Sequence, residues 1–141
     1  MVGSYVAKRL AGAGHEEHVY DWQPHRVMGV TGIHVHPEDA TDAVGEMSRN
    51  GVVDMVVNML PGSIGHVAST YLAESSYRIV DLSFSKFTPD RDDEKARDYG
   101  ASILWDVGVA PGLSNMLLAV ADRKMGPLAK AEVWVGGNPT G

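Results

Sequence analysis

The chain has 141 residues, of which 44% are apolar and 21% charged, proportions that suit one domain, or one domain and part of another. Its formal net charge of -6, with no basic patch, argues against a nucleic-acid partner, and the lack of cysteine removes disulfides, thiolate metal sites and cysteine nucleophiles. The N-terminus has no unbroken apolar stretch of the signal-peptide kind, and the most apolar run, "VVDMVVNML", is short and carries Asp54. The sequence is therefore read as soluble and cytoplasmic, without a membrane partner.

In chain order, "VGSYVAKRLA" (residues 2–11) is helical, because Val2, Val6 and Leu10 recur four apart and Lys8 and Arg9 fall off that stripe. "AGAGHEE" closes it with glycine. "HVYDW" is a short strand ending at Asp21, "QPHRVMG" a loop or broken turn, and "GIHVH" (residues 32–36) a second strand stopped by Pro37. "EDATDAVGEMSRNG" reads as a helix closed by Asn50 and Gly51. The continuous apolar β-formers of residues 53–60 predict a strand buried on both faces. A turn at "PGS" leads into the helix "IGHVASTYLAES", and "YRIVDLSF" follows as a strand. "TPDRDDEKARDYG" is a short helix with Thr88 as N-cap, Pro89 in the first turn and Gly100 at its end. "ASILWDVG" is a strand, "APGL" a turn, "SNMLLAVADRKMG" an apolar helix, and "AKAEVWVGG" a final strand with period-two alternation.

Strands alternating with helices predict a doubly wound parallel sheet of Rossmann-like α/β type. In such sheets ligands bind at the carboxyl ends of the strands. The dinucleotide-binding version begins with a strand, then G-x-G-x-x-G opening a helix, with an acidic residue about twenty positions on for the ribose hydroxyls. Gly3 takes the place of the third glycine, at the start of the first helix, and Asp21 that of the acidic residue. The first strand and the first two glycines of the template have no counterpart. The chain is expected to be cut inside the motif.

From residue 53 onward, "VVNMLPGSIGHVASTYLAES", "RIVDLSFS", "ARDYGASILWDVGVAPGLSNMLLA" and "VWVGGNPTG" occur in an order and spacing that resemble the saccharopine dehydrogenase family, in particular its lysine 6-dehydrogenase-like branch. The most specific element is "DVGVAPGLSN". The resemblance implies an N-terminal NAD- or NADP-binding domain, here residues 1–112 and incomplete at its start. A second α/β domain that contacts the substrate would begin at residues 113–141. It implies hydride transfer between the nicotinamide and a carbon bearing the nitrogen of an amino acid or derivative, through an imine. It also implies a cytoplasmic homo-oligomer as the full-length protein. Another two-domain NAD(P) dehydrogenase, or a non-catalytic truncated module, stays open beside it.

Several residues carry this reading. Asp21 would accept from the ribose hydroxyls and repel a 2′-phosphate, favouring NAD, while Arg26 leaves NADP open. Leu60, Pro61 and Gly62, with Ser63, would lie against the cofactor at a helix N-terminus. Ser83 and Ser85 would reach the nicotinamide side. Amine oxidation needs a proton acceptor, and Asp106, beside Gly108 and Gly112, is the first candidate, with Asp81 behind it. The plain alternatives are a solvated Asp21, an ordinary strand-to-helix turn at residues 60–63, and structural roles for both other carboxylates. His34 and His36 share one strand face, but the sequence supplies no third ligand beside them, so no metal is assigned. His15 and His18 fall in a polar turn without pattern, and His66 on a helix faces solvent. The run "DRDDEKARD" reads as a solvated helix face.

Overall fold

The computed structural model describes residues 2–47, 53–84 and 87–136. Helix α1 (Val2–Gly12) opens the chain and leads to strand β1 (Glu17–Tyr20). A single 3-10 turn over Pro24–Arg26 precedes β2 (Ile33–His36), and α2 (Ala40–Met47) follows. Strand β3 (Val56–Asn58), helix α3 (Gly62–Ala73) and strand β4 (Arg78–Asp81) come next. A 3-10 turn at Pro89–Asp92 runs into α4 (Asp93–Tyr99), followed by β5 (Ser102–Leu104) and α5 (Leu113–Met125). Among the described residues every ladder is parallel, which requires long crossovers: α3 joins β3 to β4, α4 joins β4 to β5, and a loop with one 3-10 turn joins β1 to β2. The expected mixed α/β class with parallel strands is therefore present.

The strands form two sheets rather than one, β1-β2 and β3-β4-β5. In the doubly wound order 3-2-1-4-5-6, the first strand lies between the second and the fourth. With α1 equated to the first helix of that order, the break between the two sheets falls at the first strand's place. The two sheets nevertheless share one core. Met47, Leu72 and Ile79 are its buried centre, and Tyr20 from β1 and Val56 from β3 both pack against it. Removing Leu72 or Ile79 from water contributes about 1.5–3 kcal/mol each. On the other side, α1 spans the break. A Cβ on Gly3, at its start, would stand 3.8 Å from the Met59 side chain, just past β3, and a Cβ on Gly32 would stand 3.6 Å from Ala11, near the end of α1 and just before β2. The carboxyl ends of β1 and β3 therefore lie at the same edge as the start of α1.

Three local expectations change. The strand at residues 53–60 narrows to Val56–Asn58 and is not buried on both faces: Met55 is exposed and the valines are half-buried. No strand forms in the described part of "AKAEVWVGG", where Val133, Trp134 and Val135 are exposed; alternation alone gives no ladder without a partner strand. Thr88 stands at the N-cap of the 3-10 turn in extended conformation but makes no side-chain cap hydrogen bond. Gly100 does close α4, at φ 79°. The end of the second helix at Asn50 and Gly51 lies outside the described residues.

Candidate functional site

The carboxyl edge collects most of the residues singled out above. Asp21 leaves β1, exposed, and its Oδ1 accepts a hydrogen bond of 2.8 Å from the Gln23 N–H. This small Asx turn swings the chain out of the strand and holds the carboxylate at the edge. Gly3 lies at the same edge in the first turn of α1, the end of a helix that carries a partial positive charge. Its neighbour Met59 touches it at ordinary van der Waals distance, so the place does not require glycine.

The turn after β3 is built differently from a ligand cradle. The Asn58 side chain caps it: its Oδ1 accepts from the Leu60 N–H at 3.2 Å. Pro61 is the N-cap of α3, and the N–H groups of Ile64 and Gly65 both donate to its carbonyl. A Cβ on Gly62 would overlap the Phe84 carbonyl, and one on Gly65 would overlap the Ser83 side chain. These glycines let α3 pack directly on the chain leaving β4. The space over Gly62 thus holds protein backbone, while Leu60 and Pro61 border the edge. His66, expected to face solvent, is half-buried, with its Nδ1–H donating to the Gly62 carbonyl at 3.0 Å and its ring 5.4 Å from Phe87.

Asp81 lies at the end of β4 and is wholly buried. Its Oδ1 accepts from the Ser83 N–H at 2.7 Å, and its Oδ2 accepts from Asn58 Nδ2 at 3.3 Å and from the Ser69 hydroxyl. Its backbone carbonyl accepts from the Val107 N–H at 3.0 Å. A carboxyl so enclosed and so fully engaged ties β3, α3, β4 and the chain after β5 together; its geometry is that of a structural acceptor. Ser83 is buried beside it, and its Oγ has no hydrogen-bond partner among the described residues. Ser85 lies outside the described residues.

Asp106 differs from Asp81 in every respect. It is exposed, follows β5, and has φ 55°, a left-handed conformation uncommon outside glycine. The loop after it doubles back on itself. The Leu113 N–H donates to the Gly108 carbonyl at 2.9 Å, the Ser114 N–H donates to the Val109 carbonyl at 2.9 Å, and the Ala110-Pro111 peptide is cis. A Cβ on Gly112, at φ 127°, would overlap the carbonyls of Gly108 and Asp106. Asn115 then accepts from the Gly112 N–H at 3.2 Å and starts α5.

Asp21, Gly3, Leu60, Pro61 and Asp106 are thus at or near the strand carboxyl ends; Asp81 and Ser83, at the end of β4, are buried, and Gly62 is half-buried against the Phe84 backbone. The edge offers polar groups of the kind a nucleotide uses, the exposed carboxylate of Asp21 as an acceptor and the start of α1 with its partial positive charge, whereas the unpartnered Ser83 hydroxyl is buried away from it. Two shallow hollows lie elsewhere, one on the sheet face lined by Met55, Val80 and Leu104, another beside α4 lined by Ala96, Ile103 and Trp105. At the opposite end of β1, burial pushes up the Glu17 carboxyl, with His15 and His18 opposing. Among the described residues no helix is long and apolar enough to cross a membrane.

No protein-family profile matches the chain. It is 25% identical over 118 residues to the alpha-aminoadipic semialdehyde synthase of Arabidopsis thaliana, an alignment that covers 81% of this chain and 11% of that protein. The chain thus spans about a tenth of the length of this relative.

Proposed function

We propose that this chain is the nucleotide-binding part of an NAD(P)-dependent oxidoreductase that acts on the C–N bond of an amino acid or derivative. The observation that carries the reading is the joint position of Asp21 and the start of α1 at the carboxyl edge of parallel strands, where open α/β sheets bind ligands. The similarity to an enzyme named for an amino-acid semialdehyde supports the substrate class. Asp21 would hold the ribose hydroxyls and favour NAD over NADP, and the N–H groups of the first turn of α1, at Gly3, would face the phosphates. Leu60 and Pro61 would border the ribose. Bound nicotinamide would supply the hydride chemistry, and exposed Asp106 would hold the proton released from the substrate nitrogen.

The chain would be one part of a longer, homo-oligomeric enzyme. The break between the two sheets supports a central strand supplied by further sequence, and α5, which buries no residue, supports a second domain that begins at residue 113. Titration of the 141-residue chain with NADH and NADPH, followed by nicotinamide fluorescence, tests the reading. Weak binding of NADH, weaker binding of NADPH, and loss of that preference in Asp21→Ala are expected. Submicromolar binding would remove the need for a further strand, and equal binding by Asp21→Ala would remove the ribose role.

A further inference from the structure

The β1–β2 ladder places His18 opposite His34 and Tyr20 opposite His36. Side chains two apart share a sheet face, so all four rings stand on one side. They form a continuous stack: Tyr20 to His36 at 4.4 Å, His36 to His18 at 5.2 Å, and His18 to His34 at 4.9 Å between centroids. Glu16, one residue before β1, reaches into the open end of this stack. Its Oε1 lies 3.3 Å from His34 Nε2 and 3.8 Å from His18 Nε2. One ligand atom from each of Glu16, His18 and His34 lies within 4.8 Å of the others, and all three residues are exposed.

A second set of contacts fixes the tautomers behind this trio. Glu46, on α2, lies with Oε1 3.5 Å from His36 Nδ1. The carboxylate favours a proton on that nitrogen and leaves His36 Nε2 as an acceptor. His36 Nε2 is 2.9 Å from His18 Nδ1, so the proton of that bond sits on His18 Nδ1. The lone pair of His18 is then on Nε2, the atom that faces Glu16. The Glu46–His36–His18 chain is the arrangement by which outer groups orient a metal-ligating imidazole.

We propose that Glu16, His18 and His34 bind a divalent transition-metal ion of the zinc type, with His36 and Glu46 as positioning residues. Two imidazole nitrogens and one carboxylate oxygen suit such an ion, with a fourth position open to water or another ligand. The site lies toward the amino ends of β1 and β2, away from Asp21, and stands independently of nucleotide binding.

The test is titration of the untagged 141-residue chain with ZnCl2 by calorimetry and with CoCl2 by visible absorption. One ion per chain is expected, with the intense d–d bands of four-coordinate cobalt. His34→Ala, His18→Ala and Glu16→Gln should each abolish the one-to-one step, and His25→Ala, an exposed histidine outside the cluster, should leave it. Glu46→Gln should keep the stoichiometry and weaken affinity about 10–100-fold. As a check that needs no substitution, Zn2+ should shift the ring resonances of His18 and His34 and leave those of His25 and His66. Absence of saturable binding, equal loss in His25→Ala, or ring shifts spread over all the histidines would overturn the proposal.

Discussion

Asn58 and Asp81 face each other across the β3–β4 ladder and are joined side chain to side chain at 3.3 Å beneath α3. Asn58 also donates to Ser69 Oγ at 2.9 Å and to the Gly65 carbonyl at 3.1 Å. Its two amide hydrogens therefore serve three acceptors, and Asp81 collects what the group has left to donate. Replacing Asp81 by Ala strands the Ser83 N–H and part of the Asn58 amide in a buried place and leaves the Ser69 hydroxyl with the Gly65 carbonyl, at 3.0 Å, as its acceptor. The expected loss is about 2–4 kcal/mol, since each orphaned buried group costs about 1–3 kcal/mol. Asp81→Asn, which keeps one acceptor oxygen, should lose less. Urea denaturation of both variants measures this; a loss under about 0.5 kcal/mol for Asp81→Ala, the size of an ordinary surface change, would show that the network carries no stability.

Helical glycines should respond in opposite ways to the same substitution. Alanine at Gly65 overlaps the Ser83 side chain, so α3 must lift from the chain after β4. Forced packing of this kind costs about 1–3 kcal/mol and outweighs the gain of about 1 kcal/mol in helix propensity. Gly45, within α2, has nothing within 4 Å of a Cβ. Gly45→Ala should therefore raise stability by up to about 1 kcal/mol. Thermal melts of the two variants side by side decide this, and a stabilised Gly65→Ala would show that the contact at Ser83 gives way freely.

How far these features were legible in the sequence depends on the distance over which each is decided. The α/β alternation and the parallel class follow from local periodicity, and Gly100 as the end of α4 follows from its left-handed backbone. The edge position of Asp21 follows from strand polarity. Register is another matter. His34 and His36 are visible as a pair in the sequence, but the partner His18 and the approach of Glu16 and Glu46 come from pairing and packing between elements. His18, the first residue of the predicted strand but otherwise assigned to a polar turn without pattern, is the second residue of β1. The charge run before and within α4 shows the same limit. Most of it is solvated as expected, yet Asp92 is buried, accepting from Thr70 at 3.0 Å and Arg91 at 3.0 Å. Period-two alternation in "AKAEVWVGG" was the misleading signal, because a strand needs a neighbour that local sequence cannot name.

Clamping of α4 onto α3 rests on that buried Asp92. Arg91 donates from Nη2 to the His66 carbonyl at 3.0 Å and lies 4.7 Å over the Phe87 ring, while Asp92 holds both Arg91 and Thr70. Asp92→Ala should cost about 1–3 kcal/mol through the lost Thr70 and Arg91 bonds and the loosened guanidinium, with Thr70 keeping the His66 carbonyl at 3.1 Å. The exposed Arg97–Asp93 pair on the same helix, at 2.7 Å, should contribute under about 0.5 kcal/mol by the same melts. Equal effects at the two places would mean that burial does not separate them.

Leu113, Met116, Leu117 and Val120 form a helical stripe on α5, and all four are exposed, Leu117 at 59%. Apolar residues at that spacing ordinarily face a core, and here the described chain offers none. Polar replacements such as Leu117→Gln together with Met116→Gln should therefore leave the unfolding midpoint nearly unchanged, within about 0.5 kcal/mol, while raising solubility. A large loss of stability in denaturant would show that the stripe is buried in solution.

Asp106 allows backbone strain and side-chain function to be separated. Its φ of 55° is tolerated by Asp, Asn and Gly and strongly disfavoured for β-branched residues. The conformation is imposed from outside. The Val107 N–H is tied to the Asp81 carbonyl, and the close approach of Gly112 to Gly108 and Asp106 fixes the other end of the loop. The loop therefore cannot relax around a poor residue. Asp106→Val should lose about 1–3 kcal/mol, and Asp106→Asn and Asp106→Gly should match or exceed the parent in denaturant melts. If the carboxylate instead holds the loop through contacts of its own, Asn and Gly will both lose stability and the ordering will collapse. If Gly proves at least as stable at this exposed place, folding gives no reason for the carboxylate, and that outcome would support the part proposed for Asp106 in the chemistry.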